Sequence, residues 1–281
     1  MGTDELSGGV AVITGAARGI GEGIARSAAA RGMKLVLADV AEDRLRAFAG
    51  ELSNAGVETL AVPTDVTDPA AIDRLATAAF DRFGSVRMLV NNAGIEVIGY
   101  SWELSAEQWE RAVRINTLGP IHGVRAFAGP MIAAQQPAFI VNMTSLAALG
   151  TMPFTAPYML TKHSILSFSE SLFLEMQRVA PMIRVSAVLP GPVATGIFDD
   201  AVGGGDRAHV DMHRKAMGAI ISTGLDPREA GVMILDQVAA GKFWVTTHPE
   251  MMVEAGRRRA DFLAGFEDPS MPPGGEALLG D

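Results

Sequence analysis

Short apolar runs alternate with amphipathic stretches along nearly the whole chain, and this alternation restricts the fold more than any other feature. The runs Val10–Thr14, Lys34–Asp39, Glu58–Val62, Arg87–Asn91, Phe139–Ser145, Ile183–Leu189 and Phe243–Thr246 read as strands. Helical patterns lie between and after them, over Gly19–Arg31, Glu42–Asn54, Ala70–Phe83, Ser105 to about Ala134, Ala156–Val179, Pro227–Ala239 and Pro249–Phe266. Strands such as Phe139-Ile-Val-Asn-Met are nearly continuous in apolar residues, the pattern of a sheet buried on both faces. Strands joined through helices need right-handed crossovers, so the expected fold is α/β with a parallel sheet covered on both sides. The 281 residues show no internal repeat and no clean linker, so 1–281 reads as one domain. Pro120, in Leu118-Gly119-Pro120, is the expected break in the long Ser105–Ala134 helix, because proline has no backbone N–H.

One segment departs from the pattern. Residues 190–226 hold seven glycines, at 191, 196, 203, 204, 205, 218 and 224, between a strand and a helix. A stretch this long with little regular patterning, placed beyond the carboxyl end of a strand, reads as a lid over a ligand. Residues 249–281 read as a C-terminal helix followed by a Pro/Gly-rich tail.

The turn Thr14-Gly15-Ala16-Ala17-Arg18-Gly19-Ile20-Gly21 falls between the first strand and the first helix. In that context Gly15 permits a tight turn, while Gly19 and Gly21 leave room for phosphates beside Ile20. The helix N-terminus adds free N–H groups and positive partial charge, which together suit a dinucleotide pyrophosphate. Asp39 ends the second strand eighteen residues after Gly21, where a carboxylate can accept hydrogen bonds from ribose hydroxyls. A 2′-phosphate would meet that like charge, and Val40 offers nothing to counter it, so NAD is favoured over NADP. Arg18 argues the other way, and a helix-entry cap is the competing role for Asp39. Asp65 and Val66 follow the third strand, where they fit either an adenine amino group or the cap of the next helix. Asn91, Asn92, Ala93 and Gly94 close the fourth strand and would tie strand ends together along the cofactor floor.

Tyr158 and Lys162 are one helical turn apart, and Ser145 lies thirteen residues upstream of the tyrosine at a strand end. A phenol ionises near pH ~10, too high for general-base work in neutral water. An ammonium group close by favours the phenolate and lowers that value. The blander readings are a surface tyrosine–lysine contact and a serine helix cap. With only two tyrosines in the chain, one falling on this pattern, the chemical reading outweighs them.

The net charge of −9 disfavours nucleic acid and anionic membranes as partners. The absence of cysteine excludes disulfides, thiolate zinc sites and cysteine nucleophiles. No apolar run approaches the ~18 residues of a membrane span, and Met1–Gly9 lacks the pattern of a secretion signal. A soluble, cytoplasmic protein is expected. His209 and His213 have helical metal-pair spacing near Asp206 and Asp211, but no third ligand pattern accompanies them, so a solvated lid helix is expected and no metal.

The ordered set Thr-Gly-x-x-x-Gly-Ile-Gly, Asn-Asn-Ala-Gly, Ser, Tyr-x-x-x-Lys and Pro-Gly, running from about Val10 to Thr195, resembles the short-chain dehydrogenase/reductase family. The resemblance implies a Rossmann-type, doubly wound sheet of seven parallel strands. It also implies a nicotinamide cofactor and a homodimer or homotetramer built on the two long helices. It places a catalytic tetrad on Asn116, Ser145, Tyr158 and Lys162. Tyr158 would exchange the proton with a small-molecule alcohol or ketone, and Lys162 would lower its pKa and bind the nicotinamide ribose. Ser145 would hydrogen-bond the substrate oxygen. Asn116 would expose a backbone carbonyl through a helix irregularity and anchor a relay water. Pro190 and Gly191 would border the nicotinamide, with Val193 and Thr195 near its carboxamide.

The residues expected to meet substrate are apolar: Leu146, Met152, Phe154, Ile197, Phe198, and further along Met212 and Met217. Fifteen methionines is a high count, and thioether side chains make an adaptable wall. A bulky hydrophobic or aromatic ketone or secondary alcohol is the expected substrate, with ordinary core filling as the alternative. Glu96 is the one acidic residue placed to read a polar group on that substrate, unless it lies on the surface. The helix carrying Arg257, Arg258 and Arg259 either closes the pocket or covers a neighbouring subunit.

Overall fold

The computed structural model describes residues 5–203 and 208–271. Asp206, the glycines at 204 and 205, and the tail beyond 271 lie outside the described residues. Seven parallel strands form the main sheet: β1 (Val10–Thr14), β2 (Lys34–Asp39), β3 (Thr59–Pro63), β4 (Met88–Asn91), β6 (Ala138–Met143), β7 (Ile183–Leu189) and β9 (Trp244–Thr246). Their order is β3-β2-β1-β4-β6-β7-β9, so the winding reverses between β1 and β4. That reversal opens a crevice at the carboxyl ends of the strands, where sheets of this kind bind ligands. The expected Rossmann-type topology is therefore present.

Pleating explains the two-sided core. Ala11 and Ile13 of β1, Leu35 and Leu37 of β2, and Val141 of β6 face one layer. There they pack on α1 (Gly19–Ala30), α2 (Glu42–Asn54) and α8 (Pro227–Ala239) through Ile24, Ala28, Leu45, Phe48, Ile234 and Val238. The alternate residues Val12, Val36, Leu89 and Ile140 face α3 (Pro69–Phe83), α5 (Gly119–Ala133) and α6 (Ala156–Val179) through Ile72, Leu75, Phe127, Met131 and Leu172. Each large apolar side chain taken fully out of water contributes roughly 1.5–3 kcal/mol, so each continuous apolar strand stabilises both layers.

Three features differ from the sequence reading. The long helix is interrupted at Arg114–Leu118, a π-helical turn between α4 (Ala106–Val113) and α5 that matches the irregularity expected at Asn116 but not the break expected at Pro120. Pro120 lies in the first turn of α5, where a missing N–H costs nothing. The break therefore precedes the proline instead of arising from it. The segment 190–226 is more ordered than its glycines imply, because it contains α7 (Ala208–Ser222). It also supplies β8 (Val202–Gly203), which pairs with β5 (Val97–Ile98). Finally, β6 ends at Met143, and Ser145 instead caps a short 3₁₀ turn, Leu146–Leu149.

Helices α1 and α8 touch almost backbone to backbone. A Cβ built on Gly23 would lie 1.8 Å from the Pro227 carbonyl oxygen, and one on Gly231 would lie 2.3 Å from the Gly23 backbone. Gly23→Ala should therefore destabilise the fold by about 1–3 kcal/mol, as overpacking does, despite alanine's better helix propensity. Gly50→Ala in α2, where nothing lies within 4 Å of the added carbon, is the control and should raise the urea midpoint.

Candidate active site

The crevice begins at the end of β1. Gly15 has φ +63°, and a Cβ on it would sit 2.8 Å from Ala93 Cα. Gly21 allows no Cβ either, since one would meet the Gly15 carbonyl oxygen at 2.1 Å. Asn92 fastens this turn from β4: its amide donates to the Thr14 and Gly15 carbonyls at 2.9 and 3.0 Å. No side chain caps the start of α1, whose N-cap is Arg18, so its first N–H groups remain available to an anion. A cradle this tight at an uncapped helix end fits a dinucleotide pyrophosphate. Ile20 reaches the adjoining cavity, and Gly19 approaches Thr195, whose Cγ2 is 3.1 Å from a built Cβ.

Asp39 does more than either role foreseen for it. Its two oxygens accept hydrogen bonds from Ala17 N–H at 3.0 Å and Ala41 N–H at 2.9 Å, joining the glycine turn to the entry of α2. Arg18 forms an ion pair with Asp200 across the crevice. Asp65 closes a turn by accepting from Thr67 N–H at 2.9 Å, and the cap of α3 is Asp68. Val66 is buried against the start of α5, close to Gly119. On the other side, the Pro190 carbonyl accepts from Leu146 N–H, Gly191 N–H donates to Thr247 Oγ1, and Val193 bridges to Leu225.

The four residues foreseen as a tetrad come from separate elements. Asn116 sits in the π-helical turn, and its side chain clasps the Ile95 backbone, accepting from Ile95 N–H and donating to Ile95 O, both at 2.9 Å. The same amide donates to Thr161 Oγ1 on α6. Ser145 Oγ accepts from Ala147 N–H at 3.1 Å, so the hydroxyl both caps the 3₁₀ turn and faces the cavity beside Tyr158. Lys162 is 5% exposed, donates to the Met143 carbonyl at 3.1 Å, and holds its ammonium 5.3 Å from the centre of the Tyr158 ring. A Cβ on Gly94 would come within 3.6 Å of that ammonium and 3.4 Å of Asn116 Oδ1.

Electrostatics correct one expectation. Burial pushes the Tyr158 phenol above its ordinary value, the Glu96 charge pushes the same way, and only the Ser145 hydroxyl opposes them. The Lys162 ammonium faces the ring and donates its hydrogen bond to Met143 O. Lys162 is itself pushed down to about 8 by burial, with the Glu96 charge opposing.

A cavity of about 640 Å³ opens from these residues, and Leu146, Met152, Ile197, Phe198 and Met217 line it as anticipated. Phe154 and Met212 do not. Phe154 lies behind the wall, edge-on to Tyr100 at 4.9 Å, and Met212 is 43% exposed. His213 is fully buried against Phe154, and no group of three possible metal ligands occurs among the described residues. For two further parts of the wall the sequence left alternatives open, and both line the cavity. Helix α9 (Pro249–Gly265) supplies Met251, Ala255, Arg259 and Phe262, whose helical spacing was the available signal. Glu96 is no surface residue: it is 2% exposed and lines the cavity. Its Oε1 accepts from Val97 N–H at 3.2 Å, and burial pushes its carboxyl up to about 8, against that hydrogen bond and the Lys162 charge.

With this geometry in place, comparison with known proteins is informative. Residues 9–203 match the short chain dehydrogenase family. The chain belongs to the short-chain dehydrogenase/reductase family. A short-chain dehydrogenase/reductase from Burkholderia phymatum, solved in complex with NAD, is 33% identical, has a TM-score of 0.91, and is covered over 98% of its length by 95% of this chain. The sorbitol dehydrogenase of Cereibacter sphaeroides is 36% identical over 67% of this chain and 72% of its own. A metagenomic short-chain oxidoreductase solved with NADP is 28% identical, with a TM-score of 0.70 over 86% of this chain and 98% of that one. The protein is thus an oxidoreductase of this family. No helix among the described residues is long and apolar enough to cross a membrane.

Glu96 should leave a mark on stability. Its folded pKa is raised, so between about pH 4.5 and 8 the native state binds more protons than the unfolded state and stability falls as pH rises. Glu96→Gln should flatten that slope, gaining most relative to wild type near pH 8. Urea midpoints at pH 5 and pH 8 read this directly, and identical slopes would mean the carboxyl is not desolvated.

Proposed function

We propose that the protein transfers a hydride between NAD(H) and a secondary alcohol or ketone whose body is bulky and hydrophobic or aromatic. The observation carrying this reading is the placement of Tyr158 and Ser145 in the wall of one apolar cavity, with Lys162 beneath the tyrosine and the glycine cradle alongside. The dinucleotide, when bound, supplies the hydride acceptor or donor.

The chain's own residues do the rest. Tyr158 exchanges the hydroxyl proton with the substrate oxygen, and Ser145 hydrogen-bonds that oxygen as charge develops on it. Lys162 keeps a cation at the tyrosine ring and binds the nicotinamide ribose, while Asn116 holds the loop after β4 against α6. Gly15, Gly19, Ile20 and Gly21 seat the pyrophosphate. Asp39, Asp65, Val66, Asn92, Ala93 and Gly94 flank the adenosine and the crevice floor, and Pro190, Gly191, Val193 and Thr195 border the nicotinamide. Residues 190–226 act as the lid, with α9 as a second wall. A homodimer or homotetramer goes with this reading, and Leu160 and Leu174, exposed on α6, suit such an interface.

NADP is the second reading, supported by Arg18 beside the cradle and by the NADP-bound relative. Asp39 weighs against it, because a carboxylate beside the ribose site repels a 2′-phosphate. Asp39→Ala should raise the KM for NAD and improve use of NADP by about tenfold or more, a charge effect of the usual size. A wild type that prefers NADP would show that Arg18 decides.

The catalytic assignment is tested by Tyr158→Phe. Turnover, followed by nicotinamide absorbance against aromatic and alicyclic ketones and alcohols, should fall by about 10²–10⁴-fold. NADH binding, followed by fluorescence, should remain near wild type. Retained turnover would place the proton donor elsewhere.

A further inference from the structure

Glu96 is a buried carboxyl in the wall of the same cavity that Ser145 and Tyr158 line. Around it the wall is chiefly apolar, with Leu146, Met152, Ile197 and Met217 among its residues. A carboxyl withdrawn from water into such surroundings is costly unless its hydrogen bonds are met. Among the described residues only Val97 N–H donates to it, at Oε1, while Oε2 takes no protein hydrogen bond and keeps accessible surface. Lys162, the cation whose charge acts on it, directs its own hydrogen bond to the Met143 carbonyl. Neither Tyr158 nor Ser145 hydrogen-bonds Glu96, so the proposed proton transfer does not account for it.

We propose that Glu96 is a substrate-recognition residue whose carboxyl hydrogen-bonds a second hydroxyl group on the substrate, so that the preferred substrates are diols or hydroxyketones with an otherwise apolar body. The proposal deepens the functional reading above and rests on it. A hydroxyl fits better than an ammonium group because the carboxyl, raised to about 8, is mostly protonated at neutral pH. A hydroxyl both donates and accepts and so complements either form, whereas an ammonium complements only the ionised one. A substrate lacking the second hydroxyl leaves Oε2 covered without a partner, and sites of that kind discriminate strongly against the missing group.

The test compares 1-phenyl-1,2-ethanediol with 1-phenylethanol, and cyclohexane-1,2-diol with cyclohexanol, in wild type, Glu96→Gln and Glu96→Leu with NAD and NADP. Wild type should favour each diol in kcat/KM by at least about tenfold. Glu96→Leu should erase that preference, chiefly through the KM of the diol, and Glu96→Gln should retain part of it. Calorimetric titration of the diols into the NADH-loaded protein should show the same order of affinities. An unchanged ratio in Glu96→Leu overturns the proposal, as does an equal fall for both members of a pair, which would make Glu96 a positioning residue for Tyr158 and Lys162. If no alcohol is turned over with either cofactor, the oxidoreductase reading fails on its own. Glu96 is then judged by calorimetry, where equal diol affinity in wild type and Glu96→Leu counts against it.

Discussion

The structure depends on how closely the turn after β1 approaches the end of β4. Gly15 and Gly21 have no room for a side-chain carbon, and Asn92 binds the Thr14 and Gly15 carbonyls from across the gap. That contact leaves the start of α1 uncapped and facing the crevice. Everything that follows, from Asp39 reaching Ala17 N–H to Gly19 resting near Thr195, is laid out around this one junction. The buried Asn91–Asn142–Ser169 chain of hydrogen bonds extends the same bracing from β4 through β6 to α6, the helix that carries Tyr158 and Lys162.

Beyond the junction, the reacting side is organised by the removal of water. Tyr158, Lys162 and Glu96 share one poorly solvated region, and burial is the largest influence on each. It favours the neutral form of all three, raising the two acids and lowering the base. Proximity of charge then acts as a correction: Glu96 supports the lysine cation and opposes the phenolate. In this balance the neutral phenol is the favoured form of Tyr158.

Much of this was legible in the chain. The apolar runs located all seven strands of the main sheet to within a residue or two, because strands buried on both faces carry little else. The glycine turn, Asn92, Ser145, Tyr158 and Lys162 were readable because each needs a residue type that few others can replace. Less visible were features that depend on contacts distant in sequence. The resemblance implied a helix irregularity at Asn116, but the clasp of that side chain on the Ile95 backbone is a pairing that local propensity does not encode. Helix α7 was readable only at the His209–His213 spacing, its extent and its buried His213 masked by the surrounding glycines, and Phe154 was misplaced because its ring turns into the cluster with Phe198 and Val210. Glu96 illustrates the same limit: a single acid after Asn-Ala-Gly-Ile gives no sign of its depth.

The pairing of Arg18 with Asp200 joins the glycine turn to the 190–226 segment, yet both side chains are about half exposed, at 50% and 53%. An ion pair so open to solvent contributes at most about 1 kcal/mol and is screened by salt. The firmer hold on residues 190–226 is apolar, through Phe198, Val210, Met217 and Ile221 against Ile98 and Phe154. Contacts of that type loosen as the temperature drops. Chilling should therefore loosen this segment more readily than brine does.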